Sequence, residues 1–167
     1  AAVRSGDLPG PVQLGAGLIY FAAIGVGFMW LEIVLLQKFI LLLGHPVYSM
    51  TTILFSLLLG SGLGSLMGAT IIRRAAGARW IPLVIAGYAL FVCYGVTPLI
   101  YVFITAAPLL KVFMTIVCVA SGGMALGMAL PLGRHVFESG GYQNFCWYWG
   151  VNGASSVLGA STGLLIA

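Results

Sequence analysis

The residue best suited to chemistry is a carboxylate, Glu32, which lies inside an apolar stretch from residue 18 to residue 43. The other two acids, Asp7 and Glu138, lie in polar stretches. A carboxylate at membrane depth costs a few kcal/mol, so it requires a partner or a purpose. Glu32 could therefore act in a proton or cation relay, lock helices together as a hydrogen-bonded acid, or contact another subunit or a lipid headgroup.

The sequence offers few partners for Glu32 at the same depth. Lys38 follows six residues later and points to roughly the opposite side of the same helix. Ser61 and Ser65, in the next apolar stretch, reach a comparable depth, and we expect them to hydrogen-bond Glu32. Asn152, near the predicted start of the last apolar stretch, has an amide suited to capping a helix or cross-linking two.

Two histidines lie at the ends of apolar stretches, where His45 precedes Pro46 and His135 follows Arg134. A histidine in a membrane protein can ligate a haem or a chlorophyll-type pigment. Polar lining is the simpler role for both positions. We therefore predict no cofactor and keep pigment or haem contact at His45 as the alternative. No Cys/His spacing predicts a metal site.

Composition places these residues in a membrane protein. Hydrophobic residues make up 61% of the chain and charged residues 6%, and the mean hydropathy is +1.12. A soluble domain carries about a quarter charged residues. Four apolar stretches exceed the ~20 residues that a spanning helix needs. The sequence predicts one all-α domain, a polytopic transmembrane bundle of about five helices, with spans at 18–43, 47–72, 80–104, 109–132 and 151–167.

The distribution of positive charge predicts an orientation in the membrane. With a cytoplasmic N-terminus, five arginines lie inside and two lysines outside. The arginines are Arg4, Arg73, Arg74, Arg79 and Arg134, and the lysines are Lys38 and Lys111. These scattered cations form no nucleic-acid-binding face, so no nucleic acid is expected as a partner. We expect contact with the lipid bilayer and with other transmembrane subunits.

Glycines recur every four residues in three of the apolar stretches. They are Gly60, Gly64 and Gly68 in the second, Gly123 and Gly127 in the fourth, and Gly159 and Gly163 in the fifth. In lipid, this spacing lets two helix backbones approach closely. Helix packing is the simplest role for these glycines. A hinge or a substrate path is the alternative, since glycine also permits bending.

Several segments, taken in order, resemble a known family. They are FMWLEI (28–33) with LGHPVY (43–48), the glycine-rich stretch 57–68, and GMALPLGR (127–134) followed by GVNGASSVLG (150–159). Together they are similar to the membrane-spanning part of bacterial multipass spermidine synthase-like proteins. The resemblance implies hydrophobic helices that accompany a soluble aminopropyltransferase domain in a bacterial inner membrane. The Gly-rich βαβ unit and acidic pair of that domain have no counterparts here, so no catalytic residue is carried over.

These features favour a non-catalytic membrane subunit or module that scaffolds or stabilises a larger assembly through its glycine faces. Three alternatives stay open. They are a transporter or channel module lined by Glu32, Ser61, Ser65 and Asn152, the membrane anchor of a polyamine-synthesising enzyme, and a subunit of a pigment- or haem-bearing energy-transducing complex. Because the sequence begins with Ala1 and ends inside an apolar stretch, we expect it to be incomplete at both ends.

Overall fold

A computed structural model describes residues 11–72, 80–137 and 142–166, and within these ranges the chain is helical with no strand. The helices are α1 (Pro11–Leu43), α2 (Pro46–Ile72), α3 (Ile81–Leu90), α4 (Val96–Phe103), α5 (Pro108–Gly127), α6 (Ala129–Phe137) and α7 (Tyr142–Ile166). A π-helical turn, Phe91–Gly95, joins α3 to α4, and Met128 separates α5 from α6. The predicted all-α bundle of about five helices is confirmed.

Four continuous helical segments are long and apolar enough to cross a membrane, as in a multipass membrane protein. They are Leu14–Leu43, Pro46–Ile72, Ile81–Phe103 and Pro108–Phe137. The fifth long helix, α7, contains 25 residues but is not among these four. It begins at Tyr142, whereas the sequence placed the start of the last span near Val151.

The orientation in the membrane stays a prediction. Four of the arginines on which it rests, Arg4, Arg73, Arg74 and Arg79, lie outside the described residues.

Proline and glycine set the helix boundaries. Pro46 and Pro108 are the first residues of α2 and α5. At this position a backbone N–H would have no acceptor within the helix, so proline, which lacks that N–H, is well tolerated. Gly44 ends α1 with φ of +76°, a left-handed conformation that glycine adopts without strain. The Ser49 hydroxyl donates to the His45 carbonyl at 2.8 Å across the start of α2. These short breaks reverse the chain, so the long helices alternate in direction.

The two most extensive helix contacts join α1 to α7 and α2 to α5. Gly60 lies against Ala120 and Gly64 against Met124, so the residue numbers rise together along both helices. The residue numbers also rise together along α1 and α7, from Gly17 beside Tyr148 to Ile33 beside Gly163. Both pairs are therefore parallel. Within the described chain, α7 has extensive contact with α1 alone.

The buried apolar side chains form two groups at opposite ends of the bundle. The larger lies at the Leu43 end, where α1 and α4 end and α2 and α5 begin; its fully buried members include Leu35, Phe39, Ile53 and Val96. The smaller group, Ile72, Ile81 and Leu132, joins α2, α3 and α6 at the Pro11 end.

Candidate functional site

The contact between α2 and α5 is made at the level of the backbone. A methyl group on Gly60 would overlap the backbone of Ala120, and one on Gly64 would overlap the backbone of Met124. Gly123 and Gly127 lie in the same contact, and Gly68 lies just beyond it, against Met128 and against Pro131 of α6. In lipid, helix association depends on such close van der Waals packing rather than on a hydrophobic driving force.

The contact between α1 and α7 uses the last two predicted packing glycines. A Cβ on Gly159 would lie 2.9 Å from Val26 Cα, and one on Gly163 would lie 2.6 Å from Ile33 Cδ1. The Trp30 indole N–H donates to the Thr162 hydroxyl at 3.1 Å, at the edge of the same contact. The pair is thus held by close packing with one hydrogen bond between side chains.

Gly25 is a packing residue that the sequence analysis missed. A methyl group there would overlap the Asn152 carbonyl oxygen and crowd the hydroxyls of Ser155 and Ser156. The residues four positions away, Phe21 and Met29, are large, so Gly25 has no four-residue glycine pattern. Asn152 thus takes part in the α1–α7 contact, in the interior of α7 rather than at its start.

A tyrosine lying over a glycine forms a second kind of helix contact. The Tyr88 ring covers Gly122 of α5, and its hydroxyl donates to the Cys118 carbonyl at 2.9 Å. Cys118 precedes that glycine by four residues. Because glycine has no side chain, the ring can lie flat enough on α5 for the hydroxyl to reach a helix carbonyl. This contact ties α3 to α5.

The same arrangement joins α1 to α6. The Tyr20 ring covers Gly133, and its hydroxyl donates at 2.9 Å to the carbonyl of Ala129, again four residues before the glycine. Tyr148 of α7 lies over Gly17 in a third case, but no described residue accepts a hydrogen bond from its buried hydroxyl. Three tyrosines are thus spacers and connectors between helices, a role that the sequence analysis did not assign.

Glu32 lies on an inward part of α1. Gly25 and Phe39, seven residues before and after it, are both buried, and residues seven apart share nearly one helix face. Glu32 is half-buried, roughly 16 Å from the Leu43 end at 1.5 Å per residue. Among the described residues, none forms a hydrogen bond or ion pair with its carboxyl group.

The expected hydrogen bond from Ser61 or Ser65 to Glu32 is therefore not formed. The Ser61 hydroxyl donates instead to the Leu58 carbonyl of its own helix at 3.1 Å. The Ser61 backbone lies against Gly127, which fixes this part of α2 on α5. Serine in a helix commonly bonds a carbonyl of the preceding turn, and that local bond competes with a partner on another helix.

Lys38 is engaged with a neighbouring helix at the surface of the bundle. Its ammonium group donates to the Thr97 hydroxyl at 2.8 Å and to the Cys93 carbonyl at 3.3 Å. In the π-helical turn, the Val96 N–H bonds the carbonyl five residues earlier. Lys38 thus joins α1 to the π-helical turn and to the start of α4.

The remaining candidate ligands lie apart from these contacts. His45 is exposed in the connection between α1 and α2, and His135 is exposed near the end of α6. Within residues 11–72, 80–137 and 142–166, no group of three His, Cys, Asp or Glu side chains could hold a metal ion.

Comparisons with protein-family models, curated proteins and solved structures give no match. The resemblance to spermidine synthase-like membrane regions therefore stays a prediction.

We expect Gly64→Ala to destabilise the bundle, because its methyl group would overlap the backbone of Met124. Overpacking of this kind costs about 1–3 kcal/mol. Gly62→Ala is the matched control on the same helix, since nothing lies within 4 Å of a Cβ there. The free energy of unfolding of both variants, measured in mixed micelles, tests this. If both variants lost the same amount of unfolding free energy, the close contact between α2 and α5 would be contradicted.

We expect Lys38→Met to lower the free energy of unfolding by about 1–2 kcal/mol, the scale of two interhelical hydrogen bonds in a membrane protein. Thr97→Val removes one of the two acceptors, so in that background the same lysine substitution should cost clearly less. The free energy of unfolding of the single and double variants, measured in mixed micelles, tests this. A cost that is unchanged between the two backgrounds would contradict the hydrogen bond from Lys38 to Thr97.

Proposed function

We propose that this chain is a non-catalytic membrane module that scaffolds or stabilises a larger membrane assembly through its helix faces. The observation that carries the proposal is the backbone-level packing of α2 on α5, which makes a rigid unit. The described chain consists of this helical bundle and contains no separate soluble domain. A rigid apolar unit of this kind suits a role in holding other transmembrane helices in place.

Two residues on the outside of the bundle are suited to contact a transmembrane helix of another subunit. Gly62 of α2 is exposed between Leu58 and Leu66, which are 70% and 71% exposed, and a Cβ there would meet nothing. Gln37 is exposed on α1, roughly 9 Å from the Leu43 end, and no described residue hydrogen-bonds its amide. Small residues and polar side chains are both enriched where transmembrane helices meet.

We expect Gly62→Leu and Gln37→Leu to reduce association of the protein with its partners in native membranes. Each removes a feature that favours a neighbouring helix, while neither touches the α2–α5 contact. The measurement is the mass of the particle extracted in mild detergent, by native mass spectrometry. Leu66→Ile, on the same exposed side as Gly62, serves as the control and should leave the mass unchanged.

The wild-type protein gives the decisive result. A particle containing a single chain, recovered from native membranes under several mild detergents, would overturn the scaffold proposal. A particle of defined larger mass that both leucine variants lose, with the helical content and unfolding free energy retained, would support it.

A second candidate function is a transporter or channel module that uses Glu32. The observation that favours it is the inward position of this carboxyl group at mid-membrane depth with no partner among the described residues. Intramembrane carboxylates without a structural partner occur in proton and ion pathways. Ser65 and Asn152, which are also half-buried, would add polar groups to such a path.

Glu32→Gln separates the two candidates, because it keeps the shape of the side chain and removes its titration. If Glu32 relays protons or cations, flux across proteoliposomes should fall by at least tenfold while the size of the assembly is unchanged. If the module is a scaffold alone, wild type and variant should show the same background flux. Glu32→Asp, which retains a titratable group, is the control.

A further inference from the structure

A cleft at the Leu43 end of the bundle carries a cation that no described residue neutralises. The cleft has a volume of about 540 Å³ and lies between the end of α1 and the starts of α2 and α5. Its polar lining comes from Lys111 and Tyr48, and its apolar lining from Leu43, Leu109 and Val112. We name it the Lys111 cleft.

The Lys111 ammonium group differs from that of Lys38 in its environment. Lys38 donates to two acceptors on a neighbouring helix, whereas no described residue accepts a hydrogen bond from Lys111 or pairs with it. The one acid in the described part of the chain is Glu32, and the rise along α1 places it roughly 16 Å deeper. The charge of Lys111 is therefore available to a ligand.

The surroundings of Lys111 favour an anion with an apolar body. Lys111 is the fourth residue of α5, where the helix dipole is positive and an anion is favoured over a cation. Leu109, beside it in the lining, is 86% exposed, and Tyr48 is 51% exposed with its hydroxyl free to donate. An ammonium group and a hydroxyl-bearing side chain that line one cleft match a phosphate, and the exposed leucine matches an acyl chain.

We propose that the Lys111 cleft binds the headgroup of an anionic phospholipid, with the phosphate on Lys111 and Tyr48 and the start of the acyl chains along Leu109. A lipid fits better than a free phosphate because much of the lining is apolar. It fits better than a protein carboxylate because the leucine beside the cation is open to the lipid phase. The neighbouring cleft, which Lys38 and Thr97 line, holds about 230 Å³ and has its cation already engaged.

The test is native mass spectrometry of the whole protein from mixed micelles that contain equal amounts of phosphatidylglycerol and phosphatidylcholine. We expect wild type to retain phosphatidylglycerol at least fivefold more than phosphatidylcholine, the scale of one basic residue acting on an anionic lipid. Lys111→Gln should abolish this preference and Lys111→Arg should keep it. Tyr48→Phe should weaken it.

Several results would overturn the proposal. Equal retention of the two lipids by wild type would do so without any variant, and so would an undiminished preference in Lys111→Gln that retains its circular dichroism spectrum. Displacement of phosphatidylglycerol by millimolar inorganic phosphate would identify a free-phosphate site instead. A co-purifying protein that occupies the cleft and excludes both lipids would assign it to a protein contact.

Discussion

The architecture depends on how closely two helix backbones can approach each other in the lipid bilayer, where no hydrophobic effect drives apolar side chains together. Lipid tails are as apolar as leucine, so helix association is driven by packing and polar contacts. The glycines of α2 and α5 provide that packing, because removing side chains at Gly60, Gly64 and Gly127 brings backbone against backbone. The larger core group at the Leu43 end, which includes Phe39 and Val96, packs around this pair.

Polar groups in the described helices are satisfied mostly by nearby carbonyls. Ser56 and Thr115 donate to carbonyls four residues earlier on their own helices, and Tyr88 donates to a carbonyl on a neighbouring one. Lys38 follows the same principle at the π-helical turn. The groups that depart from this pattern, without a partner in the described chain, include the Glu32 carboxyl, the Gln37 amide, the Lys111 ammonium group and the Tyr148 hydroxyl. The two proposed functions draw on the first two of these groups.

The sequence predicted the helical class and the breaks at Gly44 and Pro108, because apolar length and proline placement act locally. It placed Glu32 at membrane depth but assigned it Ser61 as a partner, since depth along two helices says nothing about their rotation. The partners of Lys38 could not be predicted, because Cys93 and Thr97 lie 55 and 59 residues away in sequence. Gly25 and Gly122 belong to no four-residue glycine pattern, and the groups that face them, the Asn152 carbonyl and the Tyr88 ring, lie far away in sequence.

The pairing of α1 with α7 has a consequence for biogenesis. Trp30 and Thr162, which hydrogen-bond each other, are separated by 132 residues of sequence. At about 5–20 residues per second, the ribosome needs on the order of ten seconds to make that length. During this interval Gly25 lacks the helix that covers it in the folded chain, because its neighbours Asn152, Ser155 and Ser156 all belong to α7. The order of synthesis therefore gives a competing helix an opportunity to bind α1 before α7 arrives.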